Sequence, residues 1–358
     1  MDYTKRLQNL RRALPRQCDA VFISHLVNVR YLCGFTGTAG ALLIMRDAAH
    51  FLTDSRYAVQ AAQQIPADFE VQINNKNPWH CIAPLLPKTA TILAFESEHT
   101  SVATAEDAAA KLKKIQLLPQ RELVEKLRLI KDEDELKIIQ RAAIVADQCF
   151  DYICGELRPD LREEEVSLMM ETFMREHGAS GPSFTFIVAS GERSALPHGV
   201  ASAKVLSTSD LVTLDIGAIV DGYCSDLTRT VCLGKATAKQ KKIYRTVWNA
   251  QTKSLQAIKA GARCTAVDKV ARDIIADAGY GDYFGHGLGH GVGMDIHEQP
   301  RLSPLGKGTL KENMVVTCEP GIYIDGWGGV RIEDLIVVGK DGPKVLSHCA
   351  KPAKIMEL

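Results

Sequence analysis

The sequence predicts an α/β domain followed by a larger α+β domain. The chain has 358 residues, of which 46% are hydrophobic, and this length exceeds that of one typical domain. Up to about residue 120, short apolar strands alternate with helical segments. Further on, long amphipathic helices are separate from strands that carry acidic residues and histidines, which is typical of an α+β architecture. We therefore expect one domain over residues 1–122 and a second over residues 123–358.

The elements of the first domain follow from apolar runs bounded by turn residues. A charged, amphipathic N-terminal helix precedes strands at DAVFIS, GALLIM and AHFLT. Asp54 is placed to cap a helix at SRYAVQAAQQI, which ends before Pro66. FEVQI and TILAFE predict two further strands, and a helix follows near residues 103–113. The segment has no GxGxxG and no Walker loop, so nothing in it indicates nucleotide binding.

Four helices are expected in the second domain. The first begins at Asp132, which has the spacing of a capping box with Glu135. The others are expected at Glu163 to His177, stopping at Gly178, near residues 238–258, and near residues 265–278 with Thr265 and Asp268 as a capping signal. Strands are expected around residues 184–190, 211–233, 314–324 and 329–338.

A β-hairpin is the most sharply specified element. Residues 211–220 are rich in β-branched and aliphatic side chains, and Asp221-Gly222 follows. Asp-Gly is a strong signal for a two-residue type I′ turn. Residues 223–233 then form the returning strand.

This turn sets the register of the hairpin and therefore the position of two acidic residues. Val220 faces Tyr223 across a two-residue loop, so Asp226 faces Gly217, which lies on the same face as Asp215. Asp215 and Asp226 are then diagonal neighbours, at roughly 7–8 Å by backbone position. Gly217, which has no side chain, is expected to leave the space between them open.

The segment HGLGHGVGMDIH contains three histidines in twelve residues, interleaved with glycines. So many glycines make an α-helix unfavourable, which argues against a helical zinc pair formed by His286 and His290. Strand and loop packed tightly against a site are expected instead.

Four carboxylates and one imidazole are the candidate metal ligands: Asp215, Asp226, His290, Glu319 and Glu333. This set suits two divalent cations such as Mn²⁺ and suits a structural zinc poorly, because structural zinc prefers cysteine and histidine. A carboxylate-rich two-metal centre can make hydroxide from water at neutral pH. The sequence therefore predicts a metal-dependent hydrolase.

The motifs as a set resemble a known family. LDIG, SDLTRT, HGLGHGVG, HEQPR, EPGIY and GGVRIED, in this order, resemble the metallopeptidases of the pita-bread fold, peptidase family M24. Within that family they look like the proline-specific branch, aminopeptidase P and prolidase. The segments YLCGFTGTAGALLI and LTDSRY resemble the creatinase-like N-terminal domain of the same branch. The resemblance implies a catalytic domain with a curved antiparallel sheet.

The resemblance also implies metal-binding roles. Asp215 would bind one ion, Asp226 and Glu333 would bridge both, and His290 and Glu319 would complete the other. Glu319 would in addition carry a proton from the water to the leaving amine. The family usually uses Mn²⁺ or Co²⁺, and sometimes Zn²⁺.

Further residues receive roles by the same comparison. His198 and His297 match the histidines that hold the scissile carbonyl and the tetrahedral intermediate. His286 would line the proline side of the site, and Arg331 would orient the carboxylates. The family commonly forms homodimers.

Several functions remain open at this point. An aminopeptidase would act on longer peptides, whereas a dipeptidase would take only Xaa-Pro, and Arg301 could bind the free carboxylate of such a dipeptide. Methionine aminopeptidase has a similar metal set, but the N-terminal domain argues against it. A creatinase-like or catalytically inactive relative would be marked by lost ligands, and none is lost here.

Composition excludes other classes of partner. Lys plus Arg and Asp plus Glu both number 43, and no basic run indicates nucleic-acid binding. No apolar stretch is long enough to span a membrane, and the N-terminus lacks the apolar core of a secretory signal. The ten cysteines include no CxxC pair, which fits a reducing cytoplasm.

Overall fold

The computed structural model describes all residues, Met1–Leu358, as two compact units, Met1–Arg128 and Leu129–Leu358. The domain boundary expected after residue 122 falls inside the first of these units. None of the helices combines the length and the apolar character that crossing a bilayer requires. All ten cysteines are free thiols.

The first unit is built on a six-stranded mixed sheet. The strands are β1 Ala20–Ile23, β2 Ala41–Met45, β3 Ala49–Thr53, β4 Glu70–Ile73, β5 Ile92–Glu96 and β6 Gln116–Gln120. In spatial order the sheet runs β4-β3-β2-β1-β5-β6, with β1–β2 and β2–β3 antiparallel and the other pairs parallel. The helices are α1 Tyr3–Ala13, α2 Leu26–Cys33, α3 Ala58–Gln64, α4 Val102–Lys111 and α5 Glu125–Arg128. The five predicted strands are confirmed, whereas α2 and β6 were not expected.

Four long helices belong to the second unit: α6 Glu133–Glu156, α7 Glu163–Glu176, α8 Ala238–Ala257 and α9 Cys264–Asp277. The capping box of Asp132 and Glu135 at the start of α6 is confirmed. The expected cap of α9 is wrong, because Thr265 lies inside that helix. Arg263, whose backbone pairs with Thr309, precedes the helix and makes no side-chain cap.

The strands of the second unit form small sheets in which every pair of neighbouring strands is antiparallel. The strands are β7 Gly181–Pro182, β8 Ile187–Ser190, β9 Leu211–Ile216, β10 Ala218–Val220, β11 Tyr223–Cys224, β12 Leu227–Cys232, β13 Gly289–Gly291, β14 Glu298–Leu302, β15 Val315–Cys318, β16 Gly321–Ile324, β17 Gly328–Arg331, β18 Asp334–Val338 and β19 Pro343–Val345. The spatial orders are β11-β10-β7, β12-β9-β8, β14-β13-β15-β18-β19 and β16-β17.

Two apolar cores support these sheets. One lies under α8 and α9, where Val247 and Ala271 pack with Val316 and Ile336. The other lies under α6 and α7, where Phe150 and Met170 pack with Val212 and Leu214. Because the helices cover the sheets, the strands that bear the acidic residues run through buried surroundings. The α+β prediction for this unit is confirmed.

The predicted hairpin register is confirmed on both sides of its centre. Val220 pairs with Tyr223, and Thr228 pairs with Asp215. Asp221 and Gly222 have φ values of 47° and 83°, which are the positive values that a type I′ turn requires.

The single long strand expected over residues 211–220 is instead divided at Gly217 into β9 and β10. The space beside Gly217 is also not open. An added Cβ would lie 2.1 Å from Ser183 Oγ and 2.2 Å from the carbonyl oxygen of Ser225. The hydroxyl of Ser225 accepts the N–H of Ala218 at 3.0 Å, and this side-chain bond interrupts the regular ladder.

Candidate active site

The second unit contains a cavity of about 440 Å³. Phe184, Ile187, Val200 and Ile296 supply apolar parts of its wall. Its lining also includes all ten residues to which the sequence gave a role: Asp215, Asp226, His290, Glu319, Glu333, His198, His286, His297, Arg301 and Arg331. These residues come from five separate stretches of the chain, and the fold brings them around one concave surface, as in ligand sites generally.

His290 lies in β13 with one ring nitrogen directed at the carboxylates. Its Nδ1 is 3.0 Å from the carbonyl oxygen of Gly291, so Nδ1 carries the proton and donates it. Burial lowers the pKa of His290 to about 3, so the ring is neutral at physiological pH. Nε2 then presents a lone pair 3.5 Å from Asp226 Oδ2 and 3.3 Å from Glu319 Oε1. Three acceptors that face each other in this way call for a cation between them.

Two buried carboxylate oxygens of the cluster have no hydrogen-bond partner. They are Asp215 Oδ1 and Glu333 Oε1. Leaving such oxygens unpaired in the interior costs several kcal/mol, so a ligand that pairs with them is favoured. Asp226, His290 and Glu333 offer ligand atoms that all lie within 4.8 Å of one another. Hard carboxylate oxygens together with one imidazole nitrogen fit a divalent cation.

The negative charges of the clustered carboxylates repel each other in the absence of a cation. Burial, and then the charges of Asp215 and Glu319, raise the pKa of Asp226 well above its ordinary value. Burial and the charge of Asp226 likewise raise the pKa of Glu333. Burial raises the pKa of Glu319 to about 7, although the Arg331 charge works against that rise. A cation would restore the charged forms.

We expect metal binding to release protons near neutral pH. In the metal-free protein the raised carboxyl pKa values favour the protonated forms, whereas the unfolded chain has glutamate pKa values of about 4.3. The contribution of Glu319 to stability is therefore lost as pH rises through about 7, and cation binding becomes tighter over the same range. His290, with a pKa of about 3, releases nothing there. Calorimetric titration with Mn²⁺ in buffers of different ionisation enthalpy measures the protons released, and an affinity independent of pH from about 6 to about 8 contradicts this assignment.

Arg331 connects the carboxylates with the surrounding loops. Its Nη2 donates to Asp215 Oδ2 at 2.7 Å, and its Nε donates to Thr228 Oγ1 at 3.1 Å. Thr228 in turn donates to Glu333 Oε2 at 2.6 Å. Arg331 thus holds one acidic side chain directly and a second through a hydroxyl. The neighbouring Asp334 pairs instead with Arg229 and Lys351 on the far side of the strand.

Both ring nitrogens of His286 are engaged within the protein. Nδ1 donates to the carbonyl oxygen of Gly287 at 2.7 Å, and Nε2 accepts from the hydroxyl of Tyr323 at 2.9 Å. The Tyr323 oxygen also accepts from Arg331 Nη1 at 2.9 Å. Burial lowers the pKa of His286 to about 4, so the ring is neutral. His286 therefore offers the cavity a ring face rather than a free hydrogen-bonding nitrogen.

Among the ten residues with a predicted role, His198, His297 and Arg301 are exposed. The ring of His297 stands edge-on to the ring of His290, with 4.5 Å between centroids. Burial, followed by the Arg301 charge, lowers the pKa of His297. Arg301 lies in β14 directly opposite His290 of β13. These three side chains face the open part of the cavity, where a ligand can reach them.

The sequence interpretation missed two threonines that support the ligands. Thr228 donates to Glu333, as described above. Thr317 Oγ1 donates to Glu319 Oε1 at 3.1 Å, and the same oxygen accepts the N–H of His290 at 3.0 Å. The signal was present, because Thr317 lies two residues from Glu319 and side chains two apart share one face of a strand.

Asp268 was expected to help cap α9, but it instead holds a neighbouring loop. It pairs with Arg272 at 2.9 Å and accepts the N–H of Leu288 at 3.0 Å. Arg272 donates to the carbonyl oxygen of His286 at 2.8 Å. This helix-borne pair therefore fixes the loop that leads into β13.

Comparison with known families identifies the chain. Residues 137–340 match metallopeptidase family M24, and residues 6–130 match the creatinase/prolidase N-terminal domain. The protein belongs to family M24. It is a metallo-exopeptidase with the pita-bread catalytic fold and the N-terminal domain that the sequence predicted.

Individual relatives are similar over nearly the whole chain. A solved Xaa-Pro dipeptidase from Bacillus anthracis is 42% identical, with a TM-score of 0.94 over 99% of this chain and 100% of that one. A solved X-Pro aminopeptidase from Thermotoga maritima is 35% identical, with a TM-score of 0.88 over 95% and 98% of the two chains. An Xaa-Pro dipeptidase from Pyrococcus furiosus is 38% identical over 92% of this chain and 93% of its own.

Proposed function

We propose that the protein hydrolyses the peptide bond that precedes proline, in Xaa-Pro dipeptides or at the N-terminus of longer peptides, with two divalent metal ions. The observation that carries this proposal is the convergence of five ligand-type side chains, two of them with unpaired buried oxygens, on one cavity. Relatives named for Xaa-Pro dipeptidase and X-Pro aminopeptidase activity support the substrate class.

The residues proposed to hold the ions are Asp215, Asp226, His290, Glu319 and Glu333. Mn²⁺ is the proposed metal, with Co²⁺ and Zn²⁺ as alternatives, because carboxylate-rich sets suit such cations. When bound, the ions would lower the pKa of a water molecule and polarise the scissile carbonyl.

Glu319 is the proposed carrier of protons. Its carboxylate faces His290 Nε2 at 3.3 Å within the cluster, and it would accept a proton from the attacking water and give it to the departing amine. The hydrogen bond from Thr317 holds Oε1 of this side chain. Arg331 and Thr228 would keep Asp215 and Glu333 in place while the charge in the centre changes.

The exposed histidines are proposed to bind the reacting carbonyl. His198 and His297 line the cavity and can donate a hydrogen bond to an oxygen that becomes negative. The neutral ring of His286, with both nitrogens occupied, suits a wall for the apolar proline ring. Proline itself has no N–H and a fixed φ, so its recognition depends on shape rather than on a backbone hydrogen bond.

A panel of matched peptides tests the proposed function. Xaa-Pro, Xaa-Pro-Yaa and Met-Ala-Ser peptides are incubated with Mn²⁺-loaded protein, and cleavage products are identified by mass. Cleavage before proline in at least one of the first two classes is expected. Cleavage of Met-Ala-Ser alone would support a methionine aminopeptidase, and no cleavage by metal-loaded protein would support a creatinase-like or inactive relative.

Arg301→Ala distinguishes the dipeptidase from the aminopeptidase. If Arg301 binds the free carboxylate of Xaa-Pro, the substitution raises KM for dipeptides far more than for tripeptides, whose carboxylate lies roughly 3.5 Å further along. The expected loss is about 1 kcal/mol if the pair is exposed and about 2–5 kcal/mol if the substrate buries it. Steady-state kinetics on both substrates measure the difference, with the exposed Arg141→Ala as the control. Equal effects on the two substrates would exclude the carboxylate role.

We further propose that the protein works in the cytoplasm as a homodimer. The ten free cysteines, none of which forms a disulfide, support a reducing compartment. Light scattering of the purified protein measures the oligomeric state, and a mass near the 39.2 kDa of one chain would contradict the dimer.

A further inference from the structure

The loop that carries His198 is fastened at both ends to one buried carboxylate. The side chain of Glu163, the first residue of α7, is fully buried. Its Oε1 accepts from the N–H and the hydroxyl of Ser190, both at 2.8 Å, at the end of β8. Its Oε2 accepts from the N–H and the hydroxyl of Ser202, at 3.1 and 2.7 Å. Residues 190 and 202 bracket the loop, so one side chain closes it.

Arg193 makes further hydrogen bonds within the same loop. One end of its guanidinium pairs with Glu163 Oε2, and Nη2 donates to the carbonyl oxygen of Val200 at 2.8 Å. These bonds involve charged groups, which makes them stronger than neutral ones. The side chain of Arg193 is 27% exposed, so it is not part of an apolar core.

His198 depends on these tethers for its position. Its ring makes no hydrogen bond within the structure, and the side chain is exposed to the cavity. On one side of it, Arg331 Nη1 donates to the carbonyl oxygen of Pro197 at 3.1 Å. On the other side, Arg193 holds Val200. A backbone bridge between Val200 and Ile187 also holds this segment, so loss of one tether is expected to loosen the histidine rather than to release it.

We propose that Glu163 and Arg193 form a clamp that positions His198 toward the reacting carbonyl. Both are positioning residues, because neither lines the cavity. This inference rests on the role proposed above for His198. A displacement of about 1 Å in a catalytic group can cost roughly 10²-fold in rate, so the clamp is expected to affect kcat although it lies outside the site.

The test combines kinetics with hydrogen exchange. In Arg193→Met, kcat for an Xaa-Pro substrate is expected to fall roughly 10- to 10²-fold, with KM and metal content close to wild type. The amides of Leu196, His198, Gly199 and Val200 are expected to exchange faster. Arg193→Lys keeps the charge but lacks the guanidinium that binds two acceptors at once, so its kcat should lie between those of Arg193→Met and the wild type. Arg141→Met, which removes an exposed arginine that pairs with Asp221, is the control.

A double variant separates positioning from general stabilisation. If the clamp acts through His198, then Arg193→Met costs less than about 2-fold in a His198→Ala background. Losses that multiply, or unchanged exchange at those four amides, would overturn the proposal. Glu163→Gln, similar in shape to the native side chain, gives an independent variant expected to change kcat and exchange in the same direction. If His198→Ala alone keeps the wild-type kcat, the role proposed for that histidine fails. In that case hydrogen exchange in Arg193→Met still tests the clamp: faster exchange shows that Arg193 holds the loop, and unchanged exchange shows that it does not.

Discussion

Asp226→Asn is expected to lose at least one metal ion per chain and to reduce kcat by about 10³-fold or more. An amide offers one neutral oxygen and cannot bridge two cations as a carboxylate does. Loss of an ion removes several kcal/mol of charge stabilisation from the transition state, and each 1.36 kcal/mol corresponds to a tenfold change in rate. Elemental analysis of dialysed protein, together with steady-state kinetics at saturating Mn²⁺, measures both effects.

Thermal unfolding separates this effect from misfolding. The charged form of Asp226 is unfavourable in the metal-free protein, because burial and acidic neighbours raise its pKa. The metal-free variant should therefore unfold at a temperature no lower than metal-free wild type, whereas Mn²⁺ should stabilise the wild type more. Asp221→Asn, in the exposed turn of the same hairpin, is the control and should behave as wild type. Two ions retained by Asp226→Asn would show that this residue does not bridge them.

His198→Ala and His297→Ala are each expected to lower kcat by about 10²–10³-fold, which is typical for removal of one donor to a developing oxyanion. Both residues are exposed members of the cavity lining, and neither belongs to the five buried or half-buried side chains proposed as ligands. We therefore expect both variants to keep two metal ions per chain.

The ratio of metal content to residual activity decides where these histidines act. Kinetics are measured beside elemental analysis, with the exposed His177→Ala as the control. A variant that loses metal, but whose activity per bound ion is unchanged, would place that histidine among the ligands instead of at the carbonyl.

Local rules predicted much of the fold. The capping box at Asp132 and the positive φ values at Asp221 and Gly222 follow from chemistry within a few residues, and both were confirmed. The type I′ turn also set the register that places Asp215 opposite Thr228. Such features are predictable because the interacting groups are neighbours in the sequence.

Other elements depend on contacts that a sequence pattern does not display. LVNVRYLC is rich in β-branched and aromatic residues, which have low helix propensity, yet it forms α2 because its apolar face is buried. At Gly217, where the strand divides, the carbonyl oxygen accepts the N–H of Ser183, which approaches from another part of the chain, at 2.9 Å. In both cases tertiary packing overrides the local preference.

The residues of the site also fall into those that the local sequence predicts and those that it does not. Its acidic residues were recognisable because a carboxylate in an apolar strand needs a partner. The side chains behind them, Thr228 and Thr317, are ordinary strand residues that acquire a role only when two strands meet. The clamp of Glu163 and Arg193 likewise joins a helix to a loop thirty positions away, as its hydrogen bonds show.

We propose that catalysis depends on cations held by the buried carboxylate cluster. The most direct test is a titration of metal-free protein with Mn²⁺, in which bound ions and Xaa-Pro hydrolysis are followed together. We predict no turnover before metal is added and a rate that rises to its maximum as the second ion binds. Undiminished turnover by protein that elemental analysis shows to be free of metal would contradict the claim.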